Sequence, residues 1–216
     1  DIESAFGLPS QSLHVIHTGI DLDRFKPASH EVGTKKDRPT PTIMTTASAD
    51  SPLKGLDTLL RAFALVLHDE PLVRLTLIGA LKPDGDTRKL IEHLKIGHAI
   101  DEKGRITAEE MVSLYQSATL AVVPSVYEGF GFPAGEAMAC GVPLVSTNGG
   151  ALPEVVGDAG ITVPVQDPGA MAAAITALLK DSERRHALGQ AGLTRVTKEF
   201  SWSSAAAQYL DLYHQV

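Results

Sequence analysis

The strongest constraint on this chain is an alternation of short apolar runs with longer runs of helical period. LHVIH (13–17), TIMTTAS (42–48), VRLTLIG (73–79), LAVVPS (120–125), GVPLVST (141–147) and GITVPV (160–165) are apolar or β-branched and read as strands. Between them, KGLDTLLRAFALVLHDE (54–70) places Leu56, Leu59, Leu60, Phe63, Ala64 and Leu67 on one face, the stripe of an amphipathic helix. TAEEMVSLYQSA (107–118) opens with a capping-box spacing and puts Met111, Leu114 and Tyr115 on one face. Further helices are expected over 86–94, 168–180, 182–199 and 201–214, with ALPEVV (151–156) between the last two strands. Strands that alternate with helices pair in parallel through right-handed crossovers. The fold class expected is therefore α/β, with a doubly wound, mainly parallel Rossmann-like sheet. LAVV, unbroken by polar residues, suits a strand covered on both faces.

Composition narrows the function classes. At 216 residues the chain is long enough to bury a sizeable core, and 44% hydrophobic with 21% charged residues is an ordinary globular balance. A net charge of −7 with no basic stripe argues against a nucleic-acid partner. No apolar run approaches the roughly 20 residues of a transmembrane helix, and DIESAFGLPS (1–10) has neither the basic nor the apolar region of a signal peptide. The single cysteine, Cys140, allows no intramolecular disulfide and suits a reducing compartment, so a cytoplasmic location is expected. Cys140 itself reads as core packing. KPASHEVGTKKDRPTP (26–41) is the stretch most like a linker, and the absence of an initial Met suggests an excised or processed piece.

In a doubly wound sheet, ligands sit beyond the carboxyl ends of the strands, where loops meet helix amino termini. SVYEGFGFPAGEAMACG (125–141) follows the strand 120–125 directly, so Glu128 and Glu136 fall at that edge. Pro133 suits the first helical position. Glu136 would then lie in the first turn or so, where the macrodipole favours a carboxylate in any case, but where it could also accept both hydroxyls of a ribose diol. Gly129, Gly131 and Gly135 lack dinucleotide-fingerprint spacing. The turn they make still lets backbone N–H groups approach a ligand beside a helix amino terminus. In ADSPLKG (49–55), Lys54 and the following amides form a candidate anion site, although a lysine at such a junction is often only solvated. The Asp21/Asp23 and Asp84/Asp86 pairs read as structure, the latter with Asp86 as a helix N-cap. Neither pair has a third ligand nearby, and the histidines lack zinc spacing. No metal site is expected.

Taken together, these stretches resemble one family. EGFGFPAGEAMACGVPLV, with seven residues between its glutamates, is similar to the signature of retaining, nucleotide-sugar-dependent glycosyltransferases of family four, in the GT-B class. VIHTGIDLDRFKP, PLKGLDTLLRAF, MVSLYQSATLAVVPS, GGALPEVVGDAGITVP and FSWSSAAAQYLDLY resemble further family segments in the right order, most densely from about 42 to 165. The resemblance implies one half of a GT-B two-domain architecture. Residues 1–216 would form the donor-binding domain, with 1–10 as an inter-domain lead-in, 201–216 as a closing helix and the acceptor-binding domain missing. It implies that Glu128 contacts hydroxyls of the transferred sugar, helped by the amides of Phe130, Gly131 and Phe132. Glu136 would hold the ribose, Lys54 would neutralise the diphosphate, and Arg105 and Ile106 would stand at the base. The donor would be a UDP- or GDP-sugar, with no metal or other cofactor. Without its first domain the chain is expected to bind donor but transfer little. The full-length protein would have an acceptor not named by the sequence and a peripheral membrane location open to it. Two departures stand out: Ala49 occupies the place of a usual arginine, and Gly135 that of a bulkier residue, expected to leave room beside the sugar site or slack in the helix. A non-catalytic nucleotide-binding module on the same fold is the alternative, and a phosphorylase or epimerase relative a more distant one.

Overall fold

The computed structural model describes residues 5–7, 9, 13–28, 40–46 and 51–215. Ala49, most of the linker-like stretch and most of the first ten residues lie outside the described residues. Six strands form one parallel sheet: β1 (Thr42–Thr46), β2 (Arg74–Ile78), β3 (Ile100–Lys103), β4 (Leu120–Val123), β5 (Leu144–Thr147) and β6 (Ile161–Val163), in the order β3-β2-β1-β4-β5-β6. Each is followed by a helix: α1 (Leu56–Asp69), α2 (Asp86–Leu94), α3 (Ala108–Ser117), α4 (Phe132–Ala139), α5 (Leu152–Val156) and α6 (Pro168–Lys180). Two more helices close the chain, α7 (Ser182–Glu199) and α8 (Trp202–Gln215).

Alternate residues of each strand point to opposite faces, and both faces are covered. Ile43, Leu75, Leu77, Leu120, Val122 and Val145 join one core with α1, α2 and α6. Met44, Ile78, Ala121, Val123 and Leu144 join the other, with α3, α4, α5 and Val196 of α7. The α1 stripe fulfils its sequence pattern, with Leu59, Leu60 and Phe63 fully buried. Thr107 and Glu110 make the expected capping box at α3, Glu110 N–H donating to the Thr107 hydroxyl at 3.1 Å and Thr107 N–H to Glu110 Oε2 at 2.7 Å.

Two expectations need correction, and one strand forms where the sequence pattern marks none. LHVIH forms no strand; residues 13–19 run without a ladder, and the segment meets regular structure only where Ile20 bridges Ser201. Val15 is exposed, and the segment is held at its end instead, with His17 edge-on to Phe200 at 5.3 Å and Ile20 buried just beyond it. IDEK (100–103) becomes the edge strand β3 despite its polarity, because pairing with β2 leaves its outer side open to solvent. At α2 the N-cap is Gly85, not Asp86; Asp86 is the first helical residue and makes no cap hydrogen bond, so it acts only as a favourable charge in the first turn.

Candidate functional site

The strand order reverses between β1 and β4, and such a switch point opens a crevice between diverging loops at the carboxyl edge. Lys54 enters this crevice on a 3-10 turn (Pro52–Lys54) after β1, and Glu128 on the loop after β4. The two loops are tied together: Val126 N–H donates to the Leu53 carbonyl at 2.8 Å. Gly55, which ends the 3-10 turn and starts α1, has φ +65° and faces the Pro124 carbonyl so closely that a Cβ there would collide with it. Glycine is required at this crossing both by the left-handed backbone and by the neighbour.

This closure brings Lys54 and Glu128 into contact. Lys54 Nζ lies 2.5 Å from Glu128 Oε1, with side-chain exposures of 29% and 11%. The same oxygen accepts from the Ser125 hydroxyl at 2.8 Å, and Ser125 is itself buried. Two donors therefore fix Oε1, while Oε2 accepts nothing from the described residues and remains available to an outside hydroxyl. The Glu128 backbone is clamped as well: Ala151 N–H donates to its carbonyl at 2.9 Å, and a Cβ at Gly150 would strike its N and carbonyl oxygen. The Thr147 hydroxyl, at the end of β5, donates to the Ser125 carbonyl.

From Glu128 the chain turns through Gly129, Phe130 and Gly131 into α4. The N–H groups of 129–132 donate to no acceptor among the described residues, and those of Ala134 and Gly135 return to the Gly131 carbonyl. Unsatisfied donors at a helix amino terminus, next to the Lys54 ammonium, make this end of the crevice attractive to an anion. Phe130 packs edge-on against Phe132 at 5.0 Å and Phe200 at 5.8 Å, which steadies the turn, and the Phe132 ring remains exposed.

Glu136 lies further along α4, about 6 Å beyond Phe132 at the helical rise. It is half-buried, and the Tyr115 hydroxyl donates to its Oε2 at 3.3 Å. Burial pushes the Glu136 carboxyl up from 4.5 to about 7, opposed by that hydrogen bond. Desolvation first, then the Glu136 charge, holds the Tyr115 hydroxyl well above its usual range. Arg105 is exposed in the loop after β3, and Ile106 packs against the same core that holds Tyr115 and the Phe130 side chain.

The structure thus joins Lys54 to Glu128 directly and sets Glu136 on the helix that the Glu128 loop begins; among the described residues, Arg105 neither hydrogen-bonds nor ion-pairs with any of the three. Gly135 does not leave room beside a sugar site. It is buried against Ile20, whose side chain occupies the space a Cβ would need, so the missing bulk is filled by the lead-in to β1. Sequence reasoning missed Ser125, Tyr115, Thr147 and Gly150. The signals were faint: a hydroxyl three residues before Glu128, a tyrosine on an otherwise aliphatic helix face, and a glycine pair after β5. Among the described residues no three His, Cys, Asp or Glu converge, and no helix is long and apolar enough to cross a membrane.

The family model for glycosyl transferases group 1 matches residues 30–195. The chain belongs to the group 1 glycosyltransferases. Over 218 residues it is 38% identical to the MMP alpha-(1->4)-mannosyltransferase of Mycolicibacterium hassiacum, an alignment that takes in 100% of this chain and 51% of that protein. The sucrose-phosphate synthase of Thermosynechococcus elongatus superposes with a TM-score of 0.78 at 31% identity, over 94% of this chain and 52% of the other. A C-terminal domain of a group 1 glycosyl transferase from Francisella tularensis, solved alone, aligns over 85% of this chain and 99% of its own length, with a TM-score of 0.72 at 27% identity. The fold of this glycosyltransferase is that of the GT-B class, and the chain spans about half the length of the curated relatives it matches.

Proposed function

We propose that this glycosyltransferase chain binds a nucleotide sugar in the crevice between the loops after β1 and β4 and serves the transfer of a hexosyl unit with retained anomeric configuration. The observation that carries the reading is the meeting of Lys54 and Glu128, 74 residues apart in sequence, beside the open amino terminus of α4 at the switch point. In this reading Glu128 Oε2 takes hydroxyls of the transferred sugar, with the 129–132 amides alongside. Lys54 and those amides face the diphosphate, Glu136 takes the ribose diol, and Arg105 and Ile106 stand at the base, from a UDP- or GDP-sugar. Mannosyl transfer by the relative from M. hassiacum supports the hexosyl class. About half the length of the relatives lies outside the match, which supports a second domain that carries the acceptor.

The chemistry follows from the charges. Cleavage of the anomeric carbon–oxygen bond sends its electron pair to the diphosphate and leaves an oxocarbenium-like sugar. An ammonium and helix amides fixed beside the leaving oxygen stabilise charge where it develops, with no divalent metal assigned a role. No side chain is assigned as a nucleophile. The acceptor oxygen attacks from the leaving-group side, and its proton passes to the departing diphosphate.

Titration calorimetry of the chain with UDP, GDP and ADP tests the binding reading; heat from none of them in a folded sample overturns it. Glu136→Ala is expected to weaken free nucleoside diphosphates, whereas Glu128→Ala is expected to weaken only the gain contributed by the sugar. Equal losses on free nucleoside diphosphate would contradict this division.

A further inference from the structure

The mechanism above uses Glu136 but not the group that holds it. Tyr115 is 1% exposed, on α3. Its hydroxyl lies 3.3 Å from Glu136 Oε2 and 3.2 Å from the Pro133 carbonyl, both on the first turns of α4. A phenol has one proton, so it can serve only one of these acceptors at a time. Oε1 of Glu136 receives no donor from the described residues.

We propose that Tyr115 is a positioning residue that sets both the orientation and the protonation of Glu136, so that ribose recognition depends on which of its two acceptors the Tyr115 proton serves. With Glu136 ionised, the Tyr115 proton points to Oε2, and Oε1 is left to accept from a ribose diol. With Glu136 protonated, its O–H donates to the Tyr115 oxygen, and the phenol proton turns to the Pro133 carbonyl. The carboxyl is then a weaker acceptor for a diol. One proton is gained or lost from solvent, and no other bond changes. This rests on the proposed role of Glu136 toward the ribose and goes beyond it by naming what controls that carboxyl.

The chemistry of the surroundings supports the switch. Burial raises the Glu136 carboxyl to about 7, and the Tyr115 hydrogen bond restrains that rise. Beside Tyr115 also stand the Thr46 hydroxyl, at the end of β1, and the buried Cys140 thiol, immediately after α4. Among the described residues, Tyr115 is the side chain that hydrogen-bonds to the Glu136 carboxyl.

The experiment is calorimetry of UDP (or whichever nucleoside diphosphate the chain binds) between pH 5.5 and 9, with Tyr115→Phe, Glu136→Gln and the 2′-deoxy nucleotide as comparisons. Wild-type affinity should rise with pH around 7. Tyr115→Phe should move that midpoint upward by about one pH unit, since a hydrogen bond to a charged acceptor is worth about that much. At pH 7 its affinity should be about fivefold weaker, a deficit that closes by pH 9. A purely structural loss would weaken binding equally at every pH. Glu136→Gln should flatten the rise whether or not the Phe variant folds, and the 2′-deoxy nucleotide should show a smaller one. A wild-type rise that Glu136→Gln leaves intact, or a Tyr115→Phe midpoint equal to wild type, overturns the inference. Absence of binding by any nucleoside diphosphate at any pH overturns the site reading itself.

Discussion

Replacing Lys54 and Glu128 singly and together measures whether the crevice is closed as described. Lys54→Met leaves the Glu128 carboxylate, 11% exposed, with only the Ser125 hydroxyl as partner; Glu128→Gln leaves an ammonium that is 29% exposed and can turn to water. Truncating one member of a fully buried pair costs about 3–5 kcal/mol, whereas exposed pairs are worth about 0.2–1 kcal/mol. The exposures here lie between, so the coupling should be about 1–2 kcal/mol. Lys54→Met should be the more destabilising single change, and the double variant should be more stable than the two losses combined imply. Urea unfolding at pH 7.5 in low salt measures it, and repetition in 1 M salt should lower the coupling only modestly because the pair is largely sheltered. Additivity within about 0.3 kcal/mol would refute the contact.

Other outcomes follow from neighbouring features. Gly55→Ala should destabilise by about 3 kcal/mol or more, from the left-handed backbone and the collision with the Pro124 carbonyl; a loss under about 1 kcal/mol in urea would show that the loops are not locked. The Glu136 carboxyl is raised in the folded protein, so its stabilising effect is complete below the unfolded value near 4.5 and is lost as pH rises to about 7. Wild type should therefore lose about 3 kcal/mol over that window relative to Glu136→Gln, and parallel stability profiles of the two would exclude this. Arg195 donates to the Glu154 and Val155 carbonyls at 2.7 and 2.9 Å and pairs with Glu199, and it hydrogen-bonds to none of Lys54, Glu128 and Glu136. Arg195→Ala should cost about 1–3 kcal/mol of stability without altering nucleotide affinity in calorimetry.

Much of the fold was legible because the forces that make it are local and periodic. The α1 stripe, the capping box at Thr107 and the unbroken apolar run of β4 each declare an element through residues within a few turns of one another. The glutamate spacing and its place after β4 pointed to the carboxyl edge. What could not be read depended on partners far off in sequence. LHVIH has strand composition, but it joins neither edge of the sheet and the chain bridges only at Ile20 to Ser201; IDEK has little strand composition, but β2 supplies the ladder. Gly135 looks like slack until Ile20 fills it.

The same division holds at the site. Local sequence determined that residues 54 and 128 would flank helix starts, because strand exits and caps are set by short-range backbone preference; Glu136, expected in the first turn or so of α4, lies beyond that turn. Only the tertiary structure decided that Lys54 and Ser125 share one oxygen of Glu128, and that Tyr115 takes one oxygen of Glu136. Each of those contacts depends on strand order, which places β1 beside β4 and packs α3 against α4. Strand order is a property of the whole sheet, since it is fixed by the burial of both faces at once.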